Sequence, residues 1–337
     1  MKALVYYEPS KKSYIFEGDR LRKTIKGALE LNDVEHTSNL IDAFNVVHLI
    51  SPEDEKVLLD AKEYKIPVVV SALYTEDDPN ASYLEEIVTD NNKLTILKPK
   101  AIKFLNEADL VLVPCEEAKQ LFIDKGITTN IKVSSLGLNL SRFDFSRDDE
   151  KEIFYRYFRE DKNKRLVLAI GEYNSIDGVT AIINAAKKNP ETLFYYLGRD
   201  EKAKRGLKVK HIIKNAPANL KFKGVLPDDV YRSALMNADV FMLTGYKTSG
   251  TLSIAEAMAA KCQIIVRKTT MFEELIKNKE TGYVAEYSET LTSLVDEYLK
   301  GDIQPTIANA YTEAHKHNLT TFGKELIEQY NLLLENK

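Results

Sequence analysis

Two doubly wound parallel α/β domains in series are what this sequence predicts, and three observations predict them. Short β-branched runs alternate with helix-period segments through most of the 337 residues. Several of those runs are apolar without alternation, as strands covered by helices on both faces must be. The strand–helix pattern then restarts near mid-chain, which at this length leaves about 150 residues for each domain. Repetition of this kind builds right-handed βαβ units.

In the first half, strands are expected at 2–7 (KALVYY), 45–50 (NVVHLI), 67–72 (PVVVSA), 109–113 (DLVLV) and 130–134 (NIKVS). Helices fall between them at 19–31, 52–64, 98–107 and 116–125. Residues 148–158 read as a charged lead-in helix whose Asp148 and Asp149 favour its positive end. The strand at 165–170 stops at Gly171, and a helix follows with Val179, Ile182, Ile183 and Ala186 on one face. Strands at 192–197, 220–222, 239–243 and 263–266 come next. Gly198, Gly224 and Gly245 sit at strand ends, where glycine lets the chain turn and a ligand approach the backbone. Residues 288–336 are helical without a strand. Leu291, Leu294, Val295, Tyr298 and Leu299 form one apolar stripe; Phe322, Leu326, Ile327, Tyr330, Leu333 and Leu334 form another. The expected division is 1–145 for the first domain and 146–320 for the second, with 321–337 a helix packing back towards the first.

Composition narrows the function classes. A formal net charge of −4 gives no electrostatic signal for nucleic acid. Cys115 and Cys262 lie far apart in apolar stretches, which reads as two buried thiols. No segment reaches about 18 continuous apolar residues, so a cytoplasmic chain, at most resting on the inner membrane face, is expected. Neither a Gly-x-Gly-x-x-Gly nor a Walker loop is present. His48, inside NVVHLI, reads as a core residue. His315 and His317 fall on different helix faces, and Glu76-Asp77-Asp78 reads as a solvated loop, so no metal is expected.

Ligands of doubly wound sheets bind outside the carboxyl ends of the strands, so the expected site lies between the two domains. The best candidate is the polar loop 244–250 between a buried strand and a helix. The N–H groups of that helix start suit a diphosphate, and Lys247 adds a mobile cation. The segment 93–105, with Lys93, Lys98, Lys100 and Lys103 among apolar residues, reads as a basic amphipathic helix able to lie on an anionic membrane.

Six segments in order carry a resemblance: NEADLVLVPCEEAKQLFIDKGI (106–127), SSLGLNLSRF (134–143), IFYRYF (153–158), FYYLGR (194–199), FKGVLPDDVYRSALMNADVFMLT (222–244) and SIAEAMAAK (253–261). Together they resemble family-4 retaining glycosyltransferases of the GT-B fold, with two Rossmann-like domains facing across a cleft and C-terminal helices. The resemblance is strongest to bacterial enzymes that build hexosyl-diacylglycerol glycolipids. It implies a UDP-sugar donor and no required metal. Gly171, Gly198, Arg199, Val225, Lys247, Thr248, Ser249, Gly250 and Thr251 would surround the nucleotide, and Glu256 would bond the ribose hydroxyls.

Four departures from the family pattern follow. The family's first glutamate, eight positions before Glu256, is Thr248 here. The Arg and Lys that neutralise the donor diphosphate fall at Ile176 and Asp177, within Gly171-Glu-Tyr-Asn-Ser-Ile-Asp-Gly178. A histidine turn expected near Ser71-Ala72-Leu73-Tyr74 has no histidine. The glycine-rich loop after the first strand holds only Gly18, among Tyr14, Ile15 and Phe16. Each lost cation removes about 2–4 kcal/mol of transition-state stabilisation. The resemblance with its departures implies a non-catalytic or weakly active partner in cell-envelope or protein glycosylation, with no assigned catalytic residue. Its partners would be a second glycosyltransferase, a second copy of the chain, or an anionic membrane reached through the four lysines. The alternative is an active retaining hexosyltransferase moving sugar from a UDP-sugar to a lipid or envelope acceptor, with Asp77 or Asp78 helping at the acceptor.

Overall fold

The computed structural model describes the chain except residues 8–15, 51–53, 73–83, 90–91, 136, 144–145, 172, 174, 199–205, 246–250, 269–274 and 337; for 16–17, 84–89, 92–96, 117 and 251 it describes the backbone alone. Contacts divide it into two compact units, Met1–Asn139 with His317–Lys337, and Leu140–Lys316. The sequence reading put the crossings at 145/146 and 320/321.

The first unit runs β1 (Lys2–Tyr6), α1 (Phe16–Glu30), β2 (Glu35–Thr37), β3 (Val46–Ile50), α2 (Glu55–Glu63), β4 (Val68–Ser71), the antiparallel pair β5 (Leu84–Thr89) and β6 (Asn92–Leu97), α3 (Pro99–Glu107), β7 (Leu110–Val113), α4 (Glu116–Asp124) and β8 (Ile131–Val133). Its six-stranded sheet is parallel throughout, in the order β2-β1-β3-β4-β7-β8. β3, β4 and β7 are buried along their whole length, which is why they read as unbroken apolar runs.

The second unit opens with a 3-10 turn (Leu140–Phe143), then α5 (Asp148–Lys151), α6 (Ile153–Phe158), β9 (Leu166–Ile170), α7 (Ile176–Lys188), β10 (Leu193–Leu197), α8 (Leu207–Lys214), β11 (Leu220–Lys223), α9 (Asp228–Asn237), β12 (Val240–Leu243), α10 (Thr251–Ala259), β13 (Gln263–Arg267), β14 (Tyr283–Ala285), α11 (Ser288–Lys300) and α12 (Ile307–Lys316). Its parallel sheet has the order β11-β10-β9-β12-β13-β14. Counted within the unit this is 3-2-1-4-5-6, the order associated with dinucleotide-binding sheets. The core on one face joins Val167, Ala169, Phe194, Tyr196, Val240, Met242 and Ile265 of the strands to Val179, Ile182 and Ile183 of α7.

The last helix, α13 (Leu319–Glu335), belongs to the first unit, where Leu319, Phe322, Leu326 and Tyr330 enter the core beside Ile25, Ala28 and Leu29 of α1. Asn318 caps it, accepting from Thr321 N at 2.9 Å. His48 ties this helix to the sheet: its Nδ1 lies 2.6 Å from Tyr330 Oη and its Nε2 2.7 Å from Ser71 Oγ. His48 is fully buried, and burial pushes its pKa down to about 3, so the ring is neutral. Cys115 and Cys262 are both buried.

One expected element is corrected. Residues 93–105 are not one basic amphipathic helix: β6 runs to Leu97 and α3 starts at Pro99. Lys93-Leu94-Thr95-Ile96 alternates polar and apolar as a strand should, and proline, lacking an N–H, takes the first helical position. Lys93 therefore lies on a strand and Lys98 precedes the helix. Lys100 pairs with Glu55 at 2.7 Å and Lys103 with Glu107 at 3.8 Å. The apolar face of α3 (Ala101, Phe104, Leu105) is buried in its own unit.

Candidate functional site

The register of the second sheet defines a rim. Ile170 pairs with Leu197 and Leu243, Leu197 with Lys223, and Leu243 with Val266. The residues one step beyond this row are Gly171, Gly198, Gly224, Thr244 and Arg267. Strand order reverses between β9 and β12, so Gly171 and Thr244 flank the switch point where ligands of such sheets bind.

Small residues let these strand ends close on one another. A Cβ on Gly198 would fall 2.0 Å from Gly171 O; one on Gly171 would fall 2.1 Å from Thr244 Oγ1 and 2.3 Å from Tyr196 Oη. A Cβ on Gly178 would fall 2.9 Å from Thr244 Oγ1, so this glycine admits the start of α7 close against β12. Tyr196 Oη and Thr244 Oγ1 share a hydrogen bond of 3.0 Å, and Thr244 Oγ1 donates to Ile170 O at 3.3 Å. Tyr173, buried in the turn after β9, donates its hydroxyl to Tyr196 O at 3.0 Å and also to Lys223 O, so the turn spans the ends of β10 and β11.

The positive end of α7 opens at the same rim. Ser175 caps it, accepting from Gly178 N at 3.2 Å. Ile176 and Asp177 in the first turn are exposed. A carboxylate there suits the helix dipole but opposes a second anion at the same place. Towards β11, a Cβ on Gly224 would meet nothing within 4 Å among the described residues, and Val225 is 49% exposed. Glu256 lies within α10 and is buried.

Of the sequence candidates, Gly171, Gly198 and the pair Gly224–Val225 come together on this rim. Arg199, Lys247, Thr248, Ser249 and Gly250 lie outside the described residues, as does the side chain of Thr251. So do residues 8–15 after β1, Leu73, Tyr74 and the run Glu76-Asp77-Asp78. Gly18 is in α1, where a Cβ would meet the Tyr7 ring at 2.3 Å. Sequence reasoning included Thr244 in its candidate loop 244–250 but missed Tyr173, Ser175 and Tyr196. Ser175 had a signal, a hydroxyl residue just before an apolar helical period; the tyrosines had none. Among the described residues no group of three or more His, Cys, Asp or Glu is placed to hold a metal ion. No helix there is long and apolar enough to cross a membrane.

A 3-2-1-4-5-6 sheet with small residues around its switch point is the architecture of a nucleotide-handling domain. Residues 150–316 match the family described as Glycosyl transferases group 1, so the chain carries a domain of that description. A processive diacylglycerol alpha-glucosyltransferase of Acholeplasma laidlawii is 22% identical over 317 residues, covering 93% of this chain and 92% of the relative. A glycosyltransferase of Rickettsia africae superposes with a TM-score of 0.72 at 16% identity, covering 100% of this chain and 99% of its own. Anabaena HepE, solved with UDP-glucose, gives 0.70 at 15% identity, covering 98% and 99%. The fold is GT-B.

Proposed function

We propose that this is a family-4-type protein whose donor site has decayed, acting as a non-catalytic or weakly active partner in cell-envelope or protein glycosylation. The observation that carries the reading is the start of α7: Ile176 and Asp177 stand exposed at the switch-point rim, where a donor diphosphate needs cations. The nucleoside end is better kept. Gly198, the open Gly224–Val225 edge and buried Glu256 would still receive the base and ribose of a UDP-sugar. The working partner would be a second glycosyltransferase or a second copy of the chain, on the cytoplasmic side of the membrane.

The second reading, an active retaining hexosyltransferase with a lipid acceptor, is favoured by the likeness to a diacylglycerol glucosyltransferase over nearly the whole of both chains. Calorimetry with UDP and UDP-sugars, with labelled transfer onto diacylglycerol vesicles, separates the two. The proposal expects weak or absent binding and little or no transfer; micromolar binding with sustained turnover overturns it. Replacing Asp177 with Lys should raise UDP affinity by roughly tenfold, equivalent to about 1.4 kcal/mol. Glu256→Ala should abolish whatever binding exists, and an unchanged affinity removes Glu256 from the site.

A further inference from the structure

Between residues 206 and 227 the sequence places five lysines (208, 210, 214, 221 and 223) and no carboxylate, in a chain whose net charge is −4. Two are engaged: Lys221 bonds Glu160, and Lys223 lies 5.1 Å over the Phe158 ring. Lys208, Lys210 and Lys214 are exposed on α8 with His211, and among the described residues none of the three lysines forms an ion pair.

Helix energetics account for only part of this pattern. Lys214 suits the carboxyl end of α8, but its first turn holds no acid and instead carries Lys208, beside the positive end where a cation is unfavourable. Val209 is buried, with Ile212 and Ile213 packed on the unit's core, so the cations form the outward face. At the leading tip Leu207 is 85% exposed. An exposed leucine leading a row of lysines suits a surface that is anionic outside and apolar just beneath. α8 offers no arginine fork and no Phe, Tyr or Trp for base stacking, which disfavours nucleic acid.

We propose that α8 is the face on which this protein rests on an anionic lipid bilayer, with Leu207 entering the headgroup layer and Lys208, Lys210 and Lys214 meeting lipid phosphates. α3 is a weaker candidate, because Lys100 and Lys103 already have carboxylate partners and its apolar face is buried. The proposal holds whether or not the donor site is active.

The test is flotation of the full chain with vesicles of phosphatidylglycerol and phosphatidylcholine at a ratio of roughly 3:7, against phosphatidylcholine alone. Binding should need the anionic lipid and weaken between about 50 and 300 mM NaCl. Reversing Lys208, Lys210 and Lys214 together to Glu should lower it at least roughly 30-fold, and Leu207→Gln about three- to tenfold. Reversing Lys98, Lys100 and Lys103 should leave it unchanged. Equal binding to neutral vesicles, full binding by the α8 variant, or loss only in the α3 variant overturns the proposal. So does lysine-dependent binding of RNA or an acidic peptide without vesicle binding. If the triple variant does not fold by circular dichroism, Leu207→Gln and the salt dependence decide the matter: unchanged binding in both overturns it.

Discussion

The two sheets share a parallel design but end differently. In the second unit, three of the five residues just beyond the paired row are glycine and a fourth is Thr244, which packs into the space Gly171 leaves. In the first unit the residue after β1 is Tyr7, whose ring fills the space beside Gly18. The first unit's distinctive device is a lock instead: α13 is carried back across the sequence and held by His48. The same strand–helix grammar thus serves close approach at a rim in one unit and closure of a core in the other.

The largest expected effect tests the rim. Gly198→Ala would drive a methyl against the backbone carbonyl of Gly171, which cannot swing aside, and should destabilise the chain by about 3 kcal/mol. Gly224→Ala, one strand over with nothing within 4 Å, should change stability by less than about 0.5 kcal/mol. Urea unfolding followed by circular dichroism measures both. Equal effects would mean the close packing of β9 on β10 is wrong.

The lock predicts a pH dependence of its own. His48 has a native pKa of about 3 against 6.5 ordinarily, so below pH 6.5 the unfolded chain binds a proton that the native chain does not. Its contribution is complete above pH 6.5 and is lost as pH falls towards 3, by about 1.4 kcal/mol per unit. Hydrogen exchange of β3 and α13 amides at pH 7.0, 5.5 and 4.5 should show this loss in the wild type. His48→Gln should flatten it; equal slopes would mean that His48 is not buried neutral beneath α13.

The same contrast explains what could be read without coordinates. β9, β10, β12 and β13 were legible to within a residue because burial on both faces leaves unbroken apolar runs such as LVLAI and VFML. β2 (EHT) and β14 (YVA) were not, being three-residue edge strands too short to show a period. LEEIVT and NKLTIL pair with each other rather than with a core sheet, so the second merged with the lysine-rich helix after it. At the site, Gly171 and Gly198 stood out as glycines at strand ends. What their missing side chains make room for did not, because Thr244 is 73 positions from Gly171 and meets it only through the β9–β12 register. His48 was legible as a core residue, but its partner Tyr330 lies 282 positions away.

The smallest expected effect compares the two helix caps. Asn318 holds α13 with two bonds, accepting from Thr321 N at 2.9 Å and donating to Thr321 Oγ1 at 3.0 Å, whereas Ser175 holds α7 with one bond of 3.2 Å. Asn318→Ala should therefore destabilise the first unit by about 1–1.5 kcal/mol and Ser175→Ala the second by about 0.5–1 kcal/mol. The serine cap has a further consequence if the rim receives nucleotide. Fraying the first turn of α7 would disorder the N–H groups beside Gly171, so Ser175→Ala should weaken UDP binding while Asn318→Ala leaves it alone. Calorimetry on the two variants checks this directly. Equal loss in both would mean that the nucleotide does not meet the start of α7, and would move the donor site off the β9–β12 switch point.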